Sequence, residues 1–183
     1  MNRLRKLAAI AAACMAIAFA LALTGCASTQ NVDSAGSSVE SGTTVITDAY
    51  NRSVKLPSEV KTVATVGSGA RFVVYAGAQN KLIAVTEMET EASPARPYTM
   101  AYSDLFAGLP ATSNGNHLME TNVNTEQLLE LAPDVIISSR SASECDDLQA
   151  AIGIPVVGIS YQDQLFSDDV YTSIEVVGKA CDT

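Results

Sequence analysis

The sequence Asn124-Thr-Glu-Gln-Leu-Leu-Glu-Leu-Ala-Pro-Asp-Val-Ile-Ile-Ser-Ser139 contains one complete step from a helix to a strand. Its first residues can cap a short helix, and Pro133 ends that helix because the residue before a proline is pushed out of the α region. Asp134 turns the chain. Residues 135–137 are an unbroken β-branched run, which is typical of a strand buried on both faces of a parallel sheet. Residues 138–141 follow its carboxyl end, where open α/β sheets bind ligands.

Similar patterns extend this step along the rest of the chain. Short apolar runs predict further strands at residues 43–48, 52–56, 62–66, 82–85 and 156–159. Helical patterns fall at residues 70–78, 144–152 and 167–181. The alternation of strands and helices predicts an α/β fold with an open, mostly parallel doubly wound sheet, preceded by an N-terminal β-hairpin.

The N-terminus has the features of a targeting segment. Arg3, Arg5 and Lys6 precede an uncharged apolar run that extends to Leu23. The run ends in Leu23-Thr-Gly-Cys26, which resembles the lipobox of bacterial lipoproteins, where cleavage occurs before a cysteine that carries diacylglycerol. The alternative is an uncleaved anchor, because the run is near the short limit of a spanning helix. In both cases the domain is expected to be exported and tethered to a membrane.

These features predict three segments. Residues 1–25 are expected to be a lipoprotein signal peptide, and residues 26–42, which are rich in Ser, Thr and Gly, a flexible linker. The remaining residues, 43–183, have the length of about one domain.

Composition limits the possible partners and the cysteine chemistry. The formal net charge is −9, which argues against nucleic acid as a partner because phosphate binding needs a basic face. Cys145 and Cys181 both lie on predicted helices, where they form a disulfide or serve as small buried apolar residues. No cysteine pair has the spacing of metal ligands.

Arginine and tyrosine residues gather in the loops at one edge of the predicted sheet. Right-handed crossovers place every strand-to-helix loop along that edge. The loops contain Arg71, Arg96 and Arg140, with Tyr98 and Tyr161 beside them. Arginine forks bind carboxylates and phosphates, and tyrosine supplies a ring face and a phenol. We predict a shared ligand site, the alternative being that Arg96 is solvated and Arg71 lies on the surface of its own helix.

Four motifs, taken in order, resemble those of one family. This is the periplasmic-binding-protein-like group that serves ABC importers of ferric siderophores, haem and cobalamin. The matching motifs are Ile46-Thr-Asp48 with Arg52, Val54 and Leu56-Pro57 in the hairpin, Gly77-Ala-Gln-Asn-Lys-Leu82, Arg96-Pro-Tyr-Thr-Met-Ala-Tyr102 and Leu131-Ala-Pro-Asp-Val135.

The resemblance implies a substrate-binding lipoprotein and not an enzyme. Such a protein, held to the bilayer by acylated Cys26, would deliver a ferric siderophore, haem or a corrinoid to an ABC permease and its ATPase, from the extracytoplasmic side of the bacterial membrane. Beyond this ligand no cofactor is implied.

Members of the family have two α/β lobes joined by a long helix, with the ligand between the lobes. This chain has room for the first lobe only, so we expect residues 43–183 to be an N-terminal lobe that ends at the start of the inter-lobe helix. It would come from a fragment or a truncated gene. The stripe of Val170, Ile174 and Val177 on that helix would then be exposed.

Ser68 and His117 complete the predicted ligand-binding residues on weaker grounds. Ser68 lies in an incomplete glycine fingerprint at a helix start, where an anion could bind. His117 is the only histidine, and it could contact a metal centre, although an exposed loop histidine is the commoner case. Two other function classes remain open. A zinc or manganese receptor of related fold would need several histidine ligands, and an exported α/β enzyme would need a nucleophile and base that the sequence does not show.

Overall fold

The computed structural model describes residues 42–113, 122–161 and 167–183, and in these residues it contains a hairpin and a parallel sheet. Strands β1 (Thr43–Thr47) and β2 (Ser53–Pro57) form the antiparallel hairpin. The parallel sheet has the order β4-β3-β5-β6 and consists of β3 (Val63–Val66), β4 (Leu82–Ala84), β5 (Val135–Ser138) and β6 (Val156–Gly158). The α/β fold with an N-terminal hairpin, as predicted from the sequence, is confirmed.

Six α-helices connect the strands within the described residues. They are α1 (Gly69–Tyr75), α2 (Pro97–Ala101), α3 (Ser103–Ala107), α4 (Thr125–Leu131), α5 (Ala142–Ile152) and α6 (Asp168–Cys181). Single 3-10 turns lie at Gln79–Lys81 and Glu87–Glu89. Helix α1 ends three residues before the predicted boundary because Gly77 has a φ of 78° and turns the chain away from the helical path.

The sheet is covered on both faces, as a doubly wound fold requires. Alternate residues of β5 point to opposite faces: Ile137 packs in the core with α1 and α6, and Ile136 packs with α4 and α5. Cys181 lies in the first of these cores and Cys145 in the second, and both are free thiols. The two cysteines therefore serve as small buried residues.

The step from α4 to β5 is fastened at both ends. The Asn124 side-chain oxygen caps α4 by accepting from Gln127 N–H at 3.0 Å. At the other end Asp134 Oδ2 accepts from Lys61 N–H, Thr62 N–H and the Thr62 hydroxyl at 2.8, 2.9 and 3.0 Å. Burial would raise the pKa of the Asp134 carboxyl, but these hydrogen bonds outweigh it and lower the pKa. Asp134 thus ties β5 to the segment that enters β3.

The hairpin is joined to β6 by a set of contacts that we call the hairpin latch (Asp48, Tyr50, Arg52, Gly158). Asp48 is 3% exposed and accepts from the N–H groups of Tyr50, Arg52 and Gly158 and from Arg52 Nη1. Arg52 Nε also donates to Asp146 at 2.8 Å. The Tyr50 hydroxyl donates to a backbone carbonyl just after β6. The hairpin motif of the family resemblance is therefore a device that attaches the hairpin to the sheet.

The expectation that the apolar stripe of the last helix is exposed is wrong. In α6, Val177 is fully buried, and Val170 and Ile174 are partly buried against the core that contains α1. The helix turns its polar side, including Glu175 and Lys179, to solvent instead. Helix α6 is therefore an integral layer of the domain.

Candidate functional site

A cavity of about 390 Å³ lies at the carboxyl end of the parallel sheet. We call it the arginine cavity. Five of the seven predicted ligand-binding residues line it, namely Ser68, Arg71, Arg96, Tyr98 and Tyr161. They come from the loops that follow β3, β4 and β6, which converge because the strands are parallel.

Arg71 contributes a guanidinium group that is held by aromatic rings. Its Cζ lies 4.8 Å from the centroid of the Phe72 ring and 4.7 Å from that of the Tyr161 ring, within the range of cation–π contacts. The Arg71 Nε is buried and has no hydrogen-bond partner in the described part of the chain. The rings therefore position a charge whose N–H donor is left for a ligand.

Arg96 has a fixed backbone and an uncommitted side chain. Its N–H donates to Ser93 O at 2.8 Å, and its carbonyl accepts from the Thr99 hydroxyl at 2.9 Å, just before Pro97 begins α2. Its Nε is buried and, among residues 42–113, 122–161 and 167–183, without a hydrogen-bond partner. In this respect Arg96 matches Arg71 on another wall of the same cavity.

Ser68 and Tyr161 connect the loops that follow β3 and β6. Their hydroxyl oxygens are 3.0 Å apart, and the Tyr161 ring lies 5.8 Å from the Phe72 ring. The Ser68 N–H also donates to the Ser139 hydroxyl at 2.8 Å, which links the loop after β3 to the loop after β5. These contacts hold the Tyr161 ring where it can stack on Arg71.

Glu89 is a cavity residue that the sequence reasoning missed. It is 2% exposed, and its Oε1 accepts from the Tyr98 hydroxyl at 2.7 Å. Its Oε2 accepts from the Thr86 hydroxyl at 3.0 Å and from Thr86 N–H at 3.4 Å. Burial, together with the charge of Glu89 and its hydrogen bond, raises the pKa of Tyr98 well above its usual range. The signal in the sequence was the Thr86-x-x-Glu89 spacing of a capping box.

The other predicted residues are not in the cavity or lie outside the described residues. Arg140 follows β5 at the same sheet edge, but its Nη1 lies 3.2 Å from Glu144 Oε1, and it does not line the cavity. Glu144 and Ser141 form a capping box at the start of α5, and hydrogen bonds from Ser141 hold the pKa of Glu144 below its usual range. His117 and Cys26 lie outside the described residues.

The described residues offer donors for anions more than ligands for a bare metal ion. Within them no group of three His, Cys, Asp or Glu side chains converges as a metal site would require. None of the helices in the same residues is both long and apolar enough to span a membrane. What the cavity can do chemically is present two guanidinium groups, two tyrosines and one carboxylate to a small molecule.

Comparison with known proteins gives the same answer from the sequence and from the fold. The sequence model of a family described as periplasmic binding protein matches residues 116–183. The fold of the chain is that of a periplasmic solute-binding protein. The family resemblance drawn from the motifs is thereby confirmed. No curated protein sequence matches the chain significantly.

Three solved structures illustrate the likeness. A periplasmic solute-binding protein of Veillonella parvula gives a TM-score of 0.58 at 24% identity, covering 76% of this chain and 41% of that one. The molybdate-binding protein MolA of Haemophilus influenzae gives 0.57 at 20% identity, covering 76% and 46%. The petrobactin-binding protein YclQ of Bacillus subtilis gives 0.56 at 18% identity, covering 76% and 45%. The chain spans less than half the length of these structures.

Proposed function

We propose that this chain is one lobe of an extracytoplasmic solute-binding lipoprotein that delivers an anionic metal chelate to an ABC importer. The observation that carries the proposal is the pair of buried, unpartnered Nε donors of Arg71 and Arg96 in one cavity at the carboxyl edge of the described sheet. Buried polar groups in folded proteins are otherwise nearly always hydrogen-bonded, and these two donors suit a ligand's carboxylate or other oxyanion.

The chemistry of the cavity favours an iron chelate, haem or a corrinoid as the ligand. The two guanidinium groups would bind anionic groups at the edge of the chelate, while the Tyr161 ring supplies a flat surface for its organic frame. One of the proteins with this fold binds petrobactin and another binds molybdate. In this proposal Arg71, Arg96, Tyr98, Tyr161 and Ser68 contact the ligand, with Arg140 and His117 at the margin.

We further infer that the ligand is bound between this lobe and a second one, and that the pair docks on an ABC permease and its ATPase. The length comparison supports this, because the chain corresponds to less than half of each solved relative. A cleft closed by two lobes excludes water from more of the ligand than one wall does. Joining a second lobe should therefore tighten binding by several factors of ten, each of which corresponds to about 1.4 kcal/mol.

Titration of purified protein with ferric siderophores, haem and cobalamin tests the ligand proposal. Absorption spectra should change on binding of one of these classes, and Arg71→Gln or Arg96→Gln should weaken that binding by roughly tenfold or more, the cost of one charge-assisted hydrogen bond. Arg140→Gln is the matched control and should have a smaller effect, since Arg140 does not line the cavity. Equal losses in all three variants would contradict the assignment of the site.

The membrane anchor is proposed from the sequence. Cys26 is expected to be acylated after removal of residues 1–25, with residues 26–42 as the tether. Cys26→Ala should therefore abolish lipid labelling and leave the protein unprocessed or released from the membrane. Detergent partitioning of the variant that matched the parent after signal cleavage would contradict the lipobox assignment.

A further inference from the structure

The arginine cavity contains a negative charge as well as positive ones. Arg71 and Arg96 line it together with Glu89, whose side chain is the most deeply buried of the three. The charges of Arg96 and Arg71 both act on the Tyr98 phenol in the direction opposite to that of Glu89. The three charged groups therefore share one small region around the Tyr98 hydroxyl.

The hydrogen bonds of Glu89 are those of an ionised carboxylate. Its two oxygens accept from three donors, the Tyr98 hydroxyl, the Thr86 hydroxyl and the Thr86 N–H. An ionised carboxylate only accepts hydrogen bonds, whereas a protonated one must also donate. Because Tyr98 gives its single proton to Glu89, its oxygen is left as an acceptor towards the cavity.

We propose that Glu89 sets the charge of the ligand group that the arginine cavity accepts. By offsetting one of the two guanidinium charges, it makes the cavity favour a singly charged anionic group over a doubly charged group of the same shape. The proposal rests on the proposed function of this cavity as an anion site. It adds a selectivity that the two arginines alone would not have, since their attraction for an anion grows with the charge of that anion.

Perrhenate and molybdate are suitable probes. Both are tetrahedral oxyanions of similar size, and at neutral pH the first carries one negative charge and the second carries two. Binding is read from the ¹H–¹⁵N signals of the Arg71 and Arg96 Nε–H groups, which report on the cavity itself. The quantity of interest is the ratio of the two dissociation constants in each variant at one fixed ionic strength, because salt screens these interactions.

Removing the carboxylate charge should shift that ratio towards molybdate. Glu89→Gln, which keeps the shape of the side chain, is expected to improve molybdate binding relative to perrhenate by roughly tenfold or more. Tyr98→Phe is the matched control, because it removes the hydrogen bond to Glu89 without changing the charge and should leave the ratio as in the parent. Glu89→Ser, which is neutral and leaves room for water beside Thr86, gives a second test should Glu89→Gln fail to fold.

The outcomes separate the two proposals. Binding of both anions with the same ratio in the parent, Glu89→Gln and Glu89→Ser proteins would overturn the role of Glu89 while keeping the arginine cavity as an anion site. Absence of any change in the Arg71 and Arg96 signals with either anion, in every variant, would overturn the anion site and the selectivity together.

Discussion

The hairpin latch and the arginine cavity are both partly buried sets of charged and aromatic groups, but they differ in how completely the charges are paired. In the latch, Asp48 accepts four hydrogen bonds, and Arg52 donates to two carboxylates. In the cavity, the Nε groups of Arg71 and Arg96 are buried, and in the described residues they have no hydrogen-bond partner. The same residue type, arginine, thus occurs in a saturated setting and in an unsaturated one.

This difference distinguishes residues that serve folding from residues that serve binding. A buried charge with a full set of partners contributes to stability through those partners, and loss of one partner is costly. A buried donor without a partner gives the folded state nothing in return for its lost hydration, so its presence is explained by something that binds there. We therefore expect substitutions in the latch to lower stability and substitutions in the cavity to lower affinity.

The largest effect is expected for Asp48→Ala. The substitution leaves Arg52 and three backbone N–H groups at the latch without their acceptor, and breaking a buried ion pair in this way costs about 3–5 kcal/mol. Because domains of this kind are stable by only about 5–15 kcal/mol, urea unfolding should show a much lower midpoint or no folded state at all.

Asp146→Ala is the control for the latch. Asp146 pairs with the same arginine, but its side chain is 65% exposed, and exposed ion pairs contribute about 0–1 kcal/mol. Similar midpoints for the two aspartate variants would mean that burial and full pairing do not make Asp48 special.

The next effect concerns affinity rather than stability. Arg71→Gln and Arg96→Gln should each weaken binding of the ligand by about 1.5–3 kcal/mol, as expected for a charge-assisted hydrogen bond. Their free energies of unfolding should stay within about 1 kcal/mol of the parent, because within the protein each substitution removes at most a cation–π pair. Calorimetric titration and urea unfolding of the same samples measure both quantities.

A large loss of stability in either arginine variant, with affinity unchanged, would reverse the proposed division between latch and cavity. Gln is chosen because it is polar and long enough to keep touching the neighbouring rings. The comparison therefore isolates the guanidinium charge and its donors.

The third effect tests how tightly the latch is packed. A Cβ at Gly158 would lie 2.5 Å from a Tyr50 ring carbon and 2.9 Å from Asp48 Oδ2, both closer than van der Waals contact. Gly158→Ala should thus force the hairpin away from β6 and cost about 1–3 kcal/mol. Gly108→Ala is the matched control, because its Cβ would meet nothing nearer than 3.8 Å. A thermal melt in which both variants behave alike would contradict this packing.

Most of the fold was predictable because local patterns and topology determine it. The buried run at residues 135–137 and the turn at Pro133 were enough to predict β5 and the helix before it, and both are present. The exposure of the last helix was wrongly predicted, since the apolar stripe of α6 fits two descriptions equally well from sequence alone. Only the packing against α1 shows that Val177 is covered within this domain.

The candidate site was predictable at the level of loops but not of side chains. The rule that parallel strands end at one edge brought Arg71, Arg96 and Tyr161 together, and they do line one cavity. The rule says nothing about which partner each side chain finds, so the pairing of Arg140 with Glu144 could not be foreseen. Glu89 was missed because a carboxylate in a capping-box spacing normally remains at the surface, whereas here it is buried beneath Tyr98.

The smallest effect is expected at Asp134, whose charge is paired as in the latch but lies nearer to solvent. Its carboxylate accepts three hydrogen bonds from Lys61 and Thr62, and Asp134→Asn keeps one oxygen acceptor, so the loss at neutral pH should be about 1 kcal/mol. The pKa of Asp134 is lowered in the folded state, so its contribution to stability is present above the pKa of the unfolded chain, about 3.9, and is lost as the pH falls through the folded value.

Urea unfolding of the parent and of Asp134→Asn from pH 7 to pH 3 tests this assignment. The difference in free energy of unfolding should be constant down to about pH 5 and should shrink below about pH 4, because the parent then loses the same charge that the variant lacks. Glu59→Gln serves as the control, because Glu59 is an exposed carboxylate near the same segment whose only described ion pair, with Lys61, is itself exposed. A difference that persisted unchanged at pH 3 would show that the shape of the Asp134 side chain, and not its charge, ties β5 to the start of β3.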